Sequence, residues 1–125
     1  MKLSDHQFEF LKDFARLILY AAENGIKVTA GELYRLQMMQ DHYFKTGVSK
    51  TKRGNHPKRL AGDLNVFVDV DGDGDLDYTT KYEHVKKLGD FWESLNPLNR
   101  WGGDWNGNNI KDENFVDTPH FERNI

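Results

Sequence analysis

The chain has 125 residues, of which 38% are hydrophobic and 30% charged, with a formal net charge of -3 and no cysteine. A chain of this size buries roughly two-thirds of the surface it exposes when unfolded, enough for one core without staples. The missing thiols exclude cysteine nucleophiles, Cys-ligated zinc, iron–sulfur clusters and disulfides, so a metal would need His, Asp, Glu or Asn.

Ser4 with Gln7 three residues on reads as a capping box and predicts a helix starting there. Phe8, Leu11, Phe14, Ala15, Ile18, Ala21 and Ala22 recur at spacings of three and four, which predicts its buried face, and Gly25 ends it. Ile26 to Thr29 predicts a short strand, and Glu32 to Thr46 a second helix stopped at Gly47. From Gly47 to Lys58 the chain is polar, basic and broken by Gly54 and Pro57, the pattern of an exposed loop.

Leu60 to Val68 predicts a strand. Its alternation puts Leu60, Gly62, Leu64, Val66 and Val68 on one face, and Ala61, Asp63, Asn65 and Phe67 on the other. An acidic loop follows, then a helix over Lys81 to Leu95, a Trp/Gly/Asn-rich stretch and a short tail from Pro119 to Arg123. No long repeat or low-complexity linker interrupts this order, so residues 1–125 read as one α+β domain.

The longest apolar-leaning stretch, Leu17 to Ala22, is far short of the roughly 20 residues of a spanning helix, and no signal peptide follows Met1. The expectation is a protein made in the cytoplasm with no membrane insertion. The mildly acidic balance argues against a nucleic-acid coat, although Lys45, Lys50, Lys52, Arg53, Lys58 and Arg59 crowd one segment. That basic segment is either a solvated loop or an attractor of polyanionic wall polymers. Trp92, Trp101 and Trp105 read as core or cleft walls rather than a platform for bases.

Asp69, Asp71, Asp73, Gly74 and Asp77 occupy positions 1, 3, 5, 6 and 9 of a calcium loop, with Asp75 at position 7 offering its carbonyl. Position 12 is Thr80 where a bidentate glutamate is the rule, so Glu83 or water would have to complete the shell. The alternative is a solvated acidic turn. Asp104, Asn106, Asn108 and Asp112 repeat the spacing, but Asn109 replaces the glycine and Phe115 stands at position 12, which favours an ordinary turn-rich loop.

His56, Asp63 and His120 could together hold a catalytic zinc, since three protein ligands leave a fourth position for a water whose pKa falls to about 7. Asp117, three residues before His120, would then be a carboxylate able to move that water's proton. Spacing alone leaves the alternative open: hydrogen-bonded surface histidines, with Asp117 capping a turn before Pro119.

The runs from His56 to Asn65, Trp101-Gly102-Gly103-Asp104-Trp105 and Asp117-Thr118-Pro119-His120-Phe121-Glu122 resemble the zinc peptidases of the L-alanyl-D-glutamate peptidase and D-alanyl-D-alanine carboxypeptidase group. The resemblance is to single-domain bacteriophage endolysins in particular. It extends through Val28-Thr29, Tyr34-Arg35, Leu88-Gly89 and Trp92.

It implies a central antiparallel sheet flanked by helices, with Asp63 and His120 on adjacent strands. His56, Asp63 and His120 would be zinc ligands, Asp117 the catalytic acid/base, and Arg35 a fixed fork steadying an oxyanion or substrate carboxylate. Two departures from the family pattern are Gly54, where relatives often carry Ser, and Arg59, where some carry Gly.

The implied substrate is peptidoglycan, cut in the peptide stem between L-alanine and D-glutamate. Cleavage of D-alanyl-D-alanine, or a non-enzymatic calcium-binding module, are the alternatives. A monomer without a wall-binding domain is expected, calcium-modulated and reaching the wall through a membrane pore.

Overall fold

The strand carrying Asp63 is the axis of the fold, because three other strands pair along it. The structure, a computed structural model, describes residues 1–47, 54–108 and 116–125. In chain order its elements are α1 (Leu3–Glu23), β1 (Lys27–Ala30), α2 (Gln37–Thr46), β2 (Ala61–Val68), β3 (Asp77–Thr79), α3 (Tyr82–Leu95), β4 (Asn99–Trp101) and β5 (His120–Arg123). The sheet runs β1-β2-β5-β4, with β3 also paired to β2, and every pairing is antiparallel.

β1 pairs with Leu64 to Phe67, so β3, which pairs with Val66 to Val68, must take the opposite edge of β2. β5 pairs with Ala61 to Asp63. One strand thus carries the short C-terminal strand at its start and the exit of the acidic loop at its end.

The alternation predicted for β2 holds. Gly62, Leu64 and Val66 are buried, while Asp63, Asn65 and Phe67 lie half-buried on the other face; at the strand's ends the burial departs from the pattern, with Ala61 buried and Val68 half-buried. α1 and α3 cover the apolar face, in a core of Phe10, Phe14, Leu17, Leu60, Leu64, Val66, Val85, Leu88, Trp92, Trp101 and Phe121. Trp92 meets Phe10, Phe14 and Phe121 edge-on, and its Nε1–H donates to the Glu122 carbonyl at 3.0 Å. Gly89 lets α3 lie against Trp101: a Cβ there would stand 2.2 Å from the indole.

Three expectations are corrected, and two strands were not predicted. The core face of α1 is Phe10, Phe14, Leu17 and Ala21, with the buried Asp13; Phe8, Leu11 and Ile18 are 61%, 53% and 38% exposed, and Ala15 and Ala22 are exposed too. This helix is apolar on two faces, so its three-four spacing fits two rotations and the aromatics beneath select one. The Ser4–Gln7 capping box does not form. The helix starts earlier, the Lys2 N–H donating to Asp5 at 2.8 Å, while the Gln7 amide donates to the Lys58 carbonyl at 2.9 Å.

The second helix begins at Gln37 rather than Glu32, because the preceding backbone is spent elsewhere. The Glu32 carbonyl accepts from the Asp63 N–H at 2.8 Å, and the Arg35 N–H donates to His56 at 3.4 Å. Finally β3 and β4, of three residues each, were too short to announce themselves by periodicity.

Candidate functional site

Asp63 and His120 are register partners across β2 and β5, so their side chains rise from the same face of the sheet. His56 arrives from the turn just before β2. The Arg59 and Lys58 N–H groups of that turn donate back to the His56 and Asn55 carbonyls.

His56 Nε2 and His120 Nδ1 each lie 3.3 Å from Asp63 Oδ1, and the three donor atoms fall within 4.8 Å of one another. Two ligands on a tetrahedral zinc, with bonds of about 2.0–2.1 Å, stand about 3.3 Å apart. His56 Nε2 and Asp63 Oδ1 are also buried without a well-formed hydrogen bond, the condition of atoms that a cation would satisfy. Two imidazoles and a carboxylate are the donor set of an open zinc site, and this cluster fits one.

Without a cation the site holds itself together by charge. Burial pushes Asp63 up, but the close imidazoles of His120 and His56 bring its carboxyl down to about 2. Burial likewise opposes charge on His120, yet Asp63 and Glu122 outweigh it and raise the imidazole to about 9. These shifts belong to the metal-free chain, where protons stand in for the metal's charge.

Asp117 reaches the cluster through a close approach of chains. Its N–H donates to the Gly102 carbonyl at 2.8 Å, and the Gly102 N–H donates to His120 at 2.7 Å. A Cβ on Gly102 would stand 2.0 Å from the Asp117 carbonyl oxygen and 3.0 Å from His120 Cβ, and one on Gly103 would stand 2.4 Å from the Trp101 ring, so both positions need glycine. Burial raises the Asp117 carboxyl above the usual range, partly offset by the charge of His120. A half-buried carboxyl beside a candidate metal-ligating set is suited to holding and releasing a proton.

Arg35 is held on three sides: Glu32 pairs with its guanidinium, Gln40 Oε1 accepts from Nη1 at 2.6 Å, and the Tyr43 ring lies 4.9 Å away. Gln40 is wholly buried, and a Cβ on Gly54 would stand 2.8 Å from its amide oxygen. A side chain at position 54 would therefore press on the Gln40 amide, which would have to shift. Arg59 sits at φ +59 with its guanidinium over the Tyr34 ring at 4.2 Å, a left-handed conformation that a glycine adopts without strain.

The acidic loop forms a separate group. The carboxylates of Asp69, Asp71, Asp73 and Asp77 converge, and that of Asp75, also a candidate, is not among them. Gly72 and Gly74 turn the backbone at positive φ and donate to Asp69 at 2.9 and 3.0 Å. Partial burial and the charges of Asp71, Asp73, Asp69 and Asp75 raise the Asp77 carboxyl. In the second loop, Asn109, Asp112 and Phe115 lie outside the described residues, as do Lys50, Lys52 and Arg53 of the basic segment.

Sequence reasoning gave no role to Glu32, Gln40 or Glu122, all of which touch site residues. For Glu122 a signal existed, since residues two apart on a strand share a face. Trp92 and Trp101 are fully buried, whereas Trp105 is half-buried 5.3 Å from the His120 ring. A cavity of about 660 Å³ lined by Lys86, Asp90, Glu93, Ser94, Pro97, Asn99 and Gly107 includes none of the metal-site residues.

Among known proteins, the family model described as D-alanyl-D-alanine carboxypeptidase, of the M15 peptidases, matches residues 47–123. No curated protein sequence matches significantly. Among solved structures, the chain resembles the L-Ala D-Glu endopeptidase ChiX of Serratia marcescens, at 20% identity and a TM-score of 0.62, over 90% of this chain and 78% of that one. At that identity the likeness speaks for the fold.

Proposed function

Because the chain belongs to the D-alanyl-D-alanine carboxypeptidase family of M15 peptidases, we propose that it is a zinc peptidase acting on the peptide stem of peptidoglycan. The convergence of His56, Asp63 and His120 donor atoms within 4.8 Å carries this reading. A calcium-binding module without catalysis would have no use for that convergence, nor for the family match that spans it.

His56 through Nε2, Asp63 through Oδ1 and His120 through Nδ1 would hold the metal. When bound, zinc supplies a Lewis acid that polarises a carbonyl and brings a water's pKa near neutrality. Asp117 takes the proton of the attacking water and delivers it to the departing amine. Arg35, immobilised by Glu32 and Gln40, steadies negative charge developing on the substrate.

The scissile bond we favour lies between L-alanine and D-glutamate, as the motif resemblance to phage endolysins implies. Removal of a terminal D-alanine, as the family's description suggests, is the second reading. Mass spectrometry of digested purified peptidoglycan separates them. New amino-terminal D-glutamate supports the first, free D-alanine the second, and an unchanged digest overturns both.

We also propose that calcium, bound by Asp69, Asp71, Asp73 and Asp77, modulates the enzyme. The loop leads through β3 to Thr80, whose carbonyl accepts from the Thr118 hydroxyl at 2.6 Å, next to Asp117. Ordering of the loop would thus steady the segment carrying the acid/base.

A further inference from the structure

His120 and Glu122 stand two residues apart on β5, on one face of the sheet. His120 Nε2 is 2.7 Å from Glu122 Oε1, and the two residues are 7% and 3% exposed. A neutral imidazole has one N–H and one lone-pair nitrogen. With Nε2–H given to Glu122, the lone pair falls on Nδ1, the atom that faces Asp63 at 3.3 Å.

Glu122 is itself clamped. Its Oε2 accepts from Arg100 Nε at 2.9 Å and Nη2 at 2.6 Å, across the β4–β5 pairing. The Arg100 guanidinium lies 5.1 Å from the Trp105 ring, which in turn lies 5.3 Å from His120. The chain of contacts closes on itself around the imidazole. His56 has a weaker orienter, the Leu33 carbonyl at 3.1 Å from Nδ1.

We propose that Glu122, held by Arg100, is a positioning residue that fixes the tautomer and ring plane of His120 and thereby sets the affinity for zinc. The inference rests on the zinc reading above. A carboxylate behind a ligating histidine orients the ring and raises its basicity, and removing such a partner costs 10- to 100-fold in metal affinity as an order of magnitude.

The test is competition for zinc against a chromophoric chelator, with wild type, Glu122→Gln, Glu122→Ala and Arg100→Gln. It is joined by nitrogen NMR of the His120 ring in the zinc-loaded proteins and by melting of the metal-free ones. We expect Glu122→Ala to bind zinc about 10- to 100-fold more weakly, with a shifted His120 Nε2 resonance. Glu122→Gln, which keeps an acceptor, and Arg100→Gln should lose less.

A purely structural role would lower melting of the metal-free variants and leave zinc affinity within twofold of wild type, which overturns the proposal. If the Ala variant does not fold, Glu122→Gln and Arg100→Gln decide by the same criterion. Wild-type protein that binds no zinc overturns the metal site itself, an outcome distinct from unaltered variants of a zinc-binding wild type.

Discussion

Asp63 and His120 stand opposite one another in the β2–β5 register, with Oδ1 and Nδ1 at 3.3 Å. Strand pairing by itself therefore brings together two of the three candidate metal donors. The first prediction follows: purified protein carries one equivalent of zinc, and Asp63→Ala abolishes it without unfolding β2. Elemental analysis with circular dichroism checks this, and retained zinc in the variant contradicts it.

Asp117 should separate chemistry from metal binding. Its replacement by Ala is expected to leave zinc bound and to lower turnover by about two to four orders of magnitude, the usual range for a general acid/base. Loss of zinc in that variant, with zinc retained in His120→Ala, would reverse the two roles.

Arg35 is gripped by Glu32 and Gln40 in a geometry that lysine cannot reproduce. Arg35→Lys should lower kcat with little change in the melting temperature. Wild-type kinetics for both Arg35→Lys and Arg35→Ala would make the residue a surface charge.

Glu93 provides a test of electrostatics away from the metal. Burial, then the charge of Asp104, pushes its carboxyl from 4.5 up to about 7. Between those values the unfolded chain binds fewer protons than the folded one, so this group's contribution to stability falls as pH rises through the window. Glu93→Gln removes the fall. The variant should exceed wild type at pH 8 by about 1 kcal/mol, a figure discounted for the group's partial exposure, and show no gain at pH 4. Parallel denaturation curves at both pH values would refute it.

The rotation of α1 is equally testable. Leu17 is fully buried and Leu11 is 53% exposed, so Leu17→Ala should cost about 2–5 kcal/mol and Leu11→Ala less than about 1. Equal losses in urea denaturation would place the wrong face against the sheet.

The sequence alone determined whatever depends on residue type and local period: the β2 alternation, a helix over residues 81–95 and the acidic loop spacing, whereas His56, Asp63 and His120 were singled out as a set only by the motif resemblance. Those signals are local, since a strand alternates and a calcium loop counts positions without reference to the rest of the chain.

Tertiary structure decided the rest. α1 is apolar on two faces, and only the aromatics of α3 and β5 chose Phe10, Phe14, Leu17 and Ala21 over Leu11 and Ile18. Residues 32–35 look helical in isolation, yet Asp63 and His56 claim their backbone hydrogen bonds. The partners of the site, Glu32 and Gln40 on Arg35, and Arg100 on Glu122, meet through folds of the backbone that no spacing records. A side chain's chemistry is written in its own residue, whereas its neighbours are set by the packing of the whole chain.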